Sequence, residues 1–419
     1  MKNQDYTYIP KNTVFSLSHK IYRIFVPLLI LALIIIGCSG SQGQNNDSAD
    51  SGTYEASISK SQTDIAASSD NSKNEDNQTI DQAAANKAAA DQADELYTDS
   101  DWVTFLLVCN EGMNNTGSNV DNTLMCIAMN PTTGKIRLMS LTWDTFIKYD
   151  GYDIPQVINM AYRNNGPEEV VKVFDSNFDM SIDRFMSLNF LNLAYLIDDY
   201  GGIKVDITRA ERNALNGLVA SKKRDLQKMA GDNLLSQYAM DMLEREYHLS
   251  EFGHDTLLNG LQAVSYGWLQ YDSVYNCCER ELKIVSGLFH SISEQINKEV
   301  VFYTNDTGMP ENTDSRRVIN LDDISDDDRA YLMQILAPVT QTSYNNLSED
   351  EEFGIVSTLA RSAFSASREG VDIFVDLDQE IFPLEAKQPY DNVAGIKGHI
   401  VDYSNNSTAM KQFLYRNGE

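Results

Sequence analysis

The residues of this chain best suited to bind a metal or attack an electrophile are its five cysteines and five histidines, and their spacing forms no ligand motif. Beyond Cys38 the thiols are Cys109, Cys126, Cys277 and Cys278, without the paired separations of a zinc site. Adjacent Cys277 and Cys278 rarely bond to each other, because that geometry is strained. His19, His248, His254, His290 and His399 are equally scattered. Carboxylates dominate instead, with 61 Asp and Glu against 33 Lys and Arg and a formal net charge of −28. That balance argues against a nucleic-acid partner and against a surface that lies flat on anionic lipid. It suits either cation binding or a plain soluble surface.

The elements that must hold such residues begin with an export segment. Lys2, Lys11, Lys20 and Arg23 precede an apolar run from Ile24 to Ile36, which ends at Gly37-Cys38-Ser39. The run is shorter than the roughly 20 residues of a bilayer span, so it suits a signal peptide. Ile35-Ile36-Gly37-Cys38 resembles the lipobox of bacterial lipoproteins, which makes Cys38 the lipidated mature N-terminus. The alternative is an uncleaved signal anchor that starts near Leu17. Either way, the remainder lies outside the cytoplasm, anchored to the membrane.

Residues 38–96 are rich in Ser, Gln, Asn, Asp and Ala and nearly free of large apolar side chains. Such a segment buries too little surface to fold and reads as a tether. Residues 97–419 form the folded domain, with a polar, acidic insertion near 305–328.

Within that domain the patterns alternate. Trp102 to Val108, Thr123 to Met129 and Ile136 to Leu141 read as strands, the last two joined by a turn around Pro131 and Gly134. Pro167 to Phe174 reads as a short helix with Pro at its start and acids in its first turn. Phe185 to Asn189 is a strand, Leu191 to Asp199 a helix stopped by Gly201-Gly202, and Ile203 to Ile207 a strand. Thr208 to Ser250 is a helical excursion over one end of the sheet. Asn259 to Tyr266 starts a helix-to-strand passage, and Glu279 to Ile296 is an amphipathic helix. The chain closes with a helix near Ile355 to Ala363, strands at Val371 to Val375 and Ile396 to Tyr403, and a helix from Ser407 to Leu414. Alternating strands and helices predict an α/β layered domain.

From residue 97 onward the chain resembles the LytR-CpsA-Psr family, enzymes of the Gram-positive envelope that transfer glycopolymers from a polyprenyl pyrophosphate carrier onto peptidoglycan. The matching pieces include Asp121-Asn122-Thr123-Leu124-Met125, Leu138 to Thr145, Ile158-Asn159-Met160-Ala161-Tyr162 and Asp198-Asp199-Tyr200-Gly201-Gly202-Ile203. Leu258 to Tyr266 and the last helix, Met410 to Tyr415, continue the likeness. The resemblance implies an α/β fold with a central mixed sheet flanked by helices, enclosing an apolar, lipid-accommodating core. It implies polyprenyl-linked glycan or peptidoglycan as partners, and a divalent cation such as magnesium.

Phosphoryl transfer from such a carrier needs carboxylates to hold the cation and arginines to clamp phosphate oxygens. The resemblance places the metal at Glu111, Asp121 and Asp144, where Glu111 stands for the expected Asp, and either Asp121 serves in a shifted register or the ligand position holds Asn122. It places Trp143 where an arginine precedes Asp144, and Trp268 and Gln270 where an Arg-x-Arg pair is expected. Cys277 falls on a further clamp position, and Arg280 is retained. Asp144, Arg280 and Arg163 are therefore the expected catalytic set, with Lys148 a spare cation, and Trp143, Trp268 and Gln270 the substrate-binding set. Each charge-assisted phosphate contact contributes about 1.5–3 kcal/mol, so the missing arginines weaken pyrophosphate binding severely. Three functions follow: a phosphotransferase with relocated cations, a catalytically degenerate lipid- or glycan-binding scaffold, or a lipoprotein of another function that shares only the fold. For Trp143 and Trp268 an ordinary core role competes with each.

Overall fold

The computed structural model describes residues 102–110, 122–231, 237–269, 272–311, 313–369 and 377–415. Its centre is a six-stranded mixed sheet. Six strands contribute to it: β1 (Val103–Asn110), β2 (Asn122–Met129), β3 (Ile136–Leu141), β6 (Phe185–Asn189), β11 (Tyr344–Asn345) and β12 (Asp378–Phe382). Their order is β11-β6-β1-β2-β3-β12. β1 pairs antiparallel with β2 from Val103↔Met129 to Asn110↔Asn122 and parallel with β6 from Leu106↔Phe185 to Asn110↔Asn189. The β2–β3 hairpin closes where the Asn130 side chain accepts from the backbone N–H of Thr132 and Thr133, at 3.0 and 2.9 Å. That is Asx-turn chemistry, as the sequence predicts.

Both faces of the sheet are covered, which explains why β1 is apolar almost throughout. Phe105, Leu107 and Cys109 enter one core, and Leu106 and Val108 the other. On the second face lie α1 (Asn159–Asn165), α2 (Pro167–Phe178) and α10 (Tyr403–Tyr415). On the first lie α3 (Phe190–Asp199), α4 (Arg209–Gly231), α5 (Gln237–Glu244), α6 (Gly260–Gly267), α7 (Val274–Glu299), α8 (Asp326–Thr342) and α9 (Glu349–Glu369). Among the described residues no helix is long and apolar enough to cross a membrane.

Several boundaries shift for local reasons. α2 runs on to Phe178 and stops where Asp179 takes the left-handed conformation. Asn259 and Gln262 form a reciprocal capping box, so the 259–266 segment is a helix following strand β8 (Gly253–Leu258), not a helix leading to a strand. Asp402 accepts from Asn405 N–H at 3.1 Å, and that cap starts α10 at Tyr403, leaving only Ile396–Gly398 as strand β14. The 305–328 segment contains β10 (Arg317–Asn320), which pairs parallel with β9 (Val300–Tyr303). The helical excursion packs chiefly on α6 rather than over an end of the sheet, because its apolar residues Leu215, Val219 and Met242 join the first core. The strand expected at 371–375 lies outside the described residues. Between α3 and β7 (Ile203–Ile207), Gly202 has φ 92°, and a Cβ there would stand 2.7 Å from the Leu258 carbonyl oxygen. The Gly201-Gly202 stop is therefore obligatory in shape as well as in handedness.

Candidate functional site

β1, β3, β6 and β12 run the same way, so their carboxyl ends meet at one end of the sheet. Loops leaving such an end are free to converge on a ligand, since the strands hold them in register. Asn110 faces Asn189 there, and Leu141 faces Phe382. Glu111 and Asp121, the residues just beyond Asn110 and just before Asn122, lie outside the described residues, as does Gln270.

The turn after β3 is tight. Thr145 N–H donates to Thr142 O at 3.1 Å, and the two threonine hydroxyls lie 3.0 Å apart. This turn sends Trp143 and Asp144 to different surroundings. Asp144 is buried, 2 % exposed, and one carboxylate oxygen, Oδ1, stands 3.3 Å from His399 Nδ1. The other, Oδ2, is buried without a hydrogen-bond partner. His399 Nε2 meets the Gln388 carbonyl oxygen at 3.2 Å. Both ring nitrogens thus face acceptors, an arrangement that favours the doubly protonated imidazolium. Burial alone would lower the His399 pKa, but the Asp144 carboxylate, the Gln388 carbonyl and Asp391 outweigh it and raise it.

The backbone locks the same contact. His399 N–H donates to Asp144 O at 3.1 Å, and Phe146 N–H donates to His399 O at 2.9 Å. A Cβ on Gly398 would lie 2.2 Å from the Asp144 carbonyl oxygen, so only glycine allows this approach. Tyr390 tilts against the His399 ring at 4.9 Å between centroids. Its phenol is pushed up by burial first, then by hydrogen bonding to the Asp144 carboxylate and by that carboxylate's charge. Below, Cys278 is buried and its thiol is raised mainly by burial, then by Glu281. All four described cysteines are free thiols.

Trp143 instead lines a recess on the second face of the sheet. The recess measures about 210 Å³ including its open mouth. Val108, Leu124, Ile158 and Val170 supply its apolar walls, and Asn159 and Tyr162 its polar atoms. The Tyr162 hydroxyl accepts from Asn110 Nδ2 at 2.8 Å, while the buried Asn110 Oδ1 has no partner. Burial pushes the Tyr162 phenol up, Ser187 and Asn110 oppose that, and the charge of Glu168 adds to the rise. Among the described residues, the layer behind this recess is packed with side chains. Phe174, Phe178 and Met139 are among the side chains that fill it.

The remaining expected residues divide. Trp268 is buried against Phe190, rings stacked at 5.3 Å, in the first core and away from the recess lining. Arg280 is also buried and clamps Asp272 with both terminal nitrogens, at 2.9 and 2.8 Å, while it also donates to the Leu269 carbonyl and lies 3.9 Å from Glu211. Its guanidinium is thereby held inside the protein. The Cys277 thiol donates to the Gly267 carbonyl at 3.0 Å. Lys148 sits over the Tyr403 ring. Arg163, in the last turn of α1, is exposed.

Among the described residues no group of three acidic, histidine or cysteine side chains is placed to hold a metal ion. Asp144 is the one described member of the expected ligand set, and its unpartnered Oδ2 is the position a cation would use. His399, Tyr390 and Asn110 escaped the sequence reading, since no motif marks them; Tyr162 appeared only within a matched segment.

A family model, described as the LytR_cpsA_psr family, matches residues 57–273, just over half of the chain. The polyisoprenyl-teichoic acid–peptidoglycan teichoic acid transferase TagU of Halalkalibacterium halodurans is 28% identical over 85 residues, covering 20% of this chain and 28% of that protein. The protein of the same name from Enterococcus faecalis is 22% identical over 174 residues, 41% of this chain and 46% of its own length. These alignments span less than half of either relative. Among solved structures, Bacillus subtilis TagV superposes with a TM-score of 0.48 at 13% identity, covering 76% of this chain and 98% of that one.

Proposed function

The chain belongs to the LytR-CpsA-Psr family, and from that premise we propose that it is an extracytoplasmic envelope protein that handles polyisoprenyl-linked glycopolymers on their way to the cell wall. Curated relatives named for transfer of polyisoprenyl-linked teichoic acid to peptidoglycan support this reading. The observation that carries it is the apolar recess at the carboxyl end of the sheet, opening beside the turn that bears Asp144. In this reading the recess takes part of the isoprenoid chain and the turn faces the head. Lipidated Cys38 and the 38–96 tether would keep the domain beside lipid carriers.

A divalent cation belongs to the same proposal. Asp144, with Glu111 and Asp121, would hold it, and its chemistry would be to neutralise charge on a phosphoryl oxygen. The chain's own residues then define two versions. In a transferase, Arg163 would supply the exposed cation at the mouth. In a binder that lacks transfer activity, the recess would hold the lipid and nothing would displace the phosphate. The second version is favoured by the guanidinium of Arg280, which is committed to Asp272, and by Trp143 standing in the recess.

The test is cation-dependent cleavage of a polyprenyl pyrophosphate by the purified full chain, run beside Asp144→Ala. Equal, near-zero rates select the binder. A wild-type rate well above that of the variant selects the transferase. A chain that neither cleaves the carrier nor retains polyprenyl lipid or wall glycan refutes both.

A further inference from the structure

β4 (Phe146–Ile147) and β5 (Gln156–Val157) pair antiparallel, and the loop between them carries two tyrosines, neither of which lines the recess. Tyr152 N–H donates to Tyr149 O at 3.2 Å, closing a turn whose third residue, Gly151, has φ 86°. A Cβ on Gly151 would meet no atom within 4 Å, so glycine is required there by handedness alone. The turn lays one ring on the other, with centroids 5.4 Å apart and planes 12° from parallel.

The two rings differ in exposure. Tyr149 is 8 % exposed, and its hydroxyl accepts from Asn164 Nδ2 at 3.2 Å. Tyr152 is 44 % exposed, so one face rests on Tyr149 while the rest of the ring meets solvent. An exposed ring backed by a buried one is fixed before a ligand arrives, which lowers the ordering cost of binding.

The surroundings set the class of ligand. Asp150 and Asp153 flank Tyr152 in the loop, and both are exposed, as is Asn164. Burial raises the Tyr149 phenol, the Asn164 donor opposes that, and the charge of Glu169 adds to the rise, which brings a third carboxylate to the base of the pair. The one cation of the loop, Lys148, lies over the Tyr403 ring. Carboxylates accept from hydroxyls, and an aromatic face attracts the weakly positive C–H groups of a flat ring. An apolar partner would strip water from these acids without supplying donors, and an anion would be repelled. A pyranose offers both a C–H face and a rim of hydroxyls.

We propose that the Tyr149–Tyr152 pair is a stacking platform for one pyranose ring of a neutral glycan chain, a subsite separate from the recess. This rests on the reading that the chain handles glycopolymers, and it adds the residues that would grip a saccharide away from the lipid.

The test is a ligand-observed NMR titration of the full chain with tetra-N-acetylchitotetraose, cellotetraose and tetragalacturonate. At least one neutral tetrasaccharide is expected to bind about tenfold or more tighter than the acidic one. Tyr152→Ala should weaken neutral binding about tenfold, while Tyr152→Phe, which keeps the ring, should stay within about threefold of wild type. Asp150→Asn combined with Asp153→Asn should narrow the neutral-to-acidic affinity ratio about tenfold, and that ratio is insensitive to the fraction folded. Equal neutral binding by wild type and Tyr152→Ala overturns the platform and leaves the exposed ring to a protein contact; tetragalacturonate bound as tightly as the neutral chains overturns it too. Retained polyprenyl lipid is measured on the same preparations. No glycan bound with lipid retained overturns the platform alone, and neither bound overturns the reading beneath it as well.

Discussion

Two acidic clusters flank α7, a partly exposed one around Arg280 and a buried one around Asp144, and they differ in how their carboxylate oxygens are held. Around Arg280 every carboxylate oxygen has a donor: Asp272 is gripped at both oxygens, Glu211 Oε2 accepts from Thr208 N–H and hydroxyl at 2.8 Å each, and Glu211 Oε1 accepts from Tyr266 at 3.1 Å. Around Asp144 one oxygen has a long contact to an imidazole and the other has none. A carboxylate held at both oxygens is fixed in place; one with a bare buried oxygen carries an unmet desolvation cost. The retained arginine of the family pattern thus sits in a structural staple, while the less conspicuous Asp144 keeps one carboxylate oxygen without a hydrogen-bond donor.

The contrast breaks if Arg280 proves dispensable. Arg280→Ala leaves Glu211 and part of Asp272 without their cation, and is expected to cost about 3–5 kcal/mol in denaturant unfolding, the largest effect among these sites. A loss under about 1 kcal/mol would mean the staple holds nothing. Next in size is His399→Ala, which leaves a buried carboxylate without its partner and should cost about 1–3 kcal/mol at pH 6. Because the folded pKa of His399 is raised, its contribution is complete below the unfolded value of about 6.5 and fades as pH climbs through the folded value. Unfolding of wild type and variant compared from pH 6 to pH 9 should therefore converge at the alkaline end; a constant gap would show that the imidazole is held neutral. Smallest is Asp144→Asn, expected within about 1 kcal/mol of wild type in either direction, since it removes a poorly satisfied charge while keeping its volume. A cost near that of Arg280→Ala would make Asp144 a second staple and erase the distinction.

Much of the scaffold was legible because its causes are local. The apolar runs of β1 and β2, the Asn130 turn, Pro167 with its two acids and the double-glycine stop each act within a few residues, and each stands where the pattern places it. Errors occurred where a cap decided a boundary, as at Asn259 and Asp402, since a polar side chain can as well end a strand as begin a helix. Of the site, the turn carrying Trp143 and Asp144 was legible, but not the use of its residues. Trp143 in the recess and Trp268 in the first core are the same residue type with opposite surroundings, and only the face each meets tells them apart.

The sequence by itself determined that this chain is acidic and alternates strands and helices in the order of one envelope family. Local propensity and apolar pattern carry that information wherever the chain goes. Only the tertiary structure decided which charges remain available. Asp144 meets His399 across 255 residues, and Arg280 is spent on Asp272 only because the turn before α7 folds back on it. Charge pairing depends on distance in space, and no spacing along the chain encodes it.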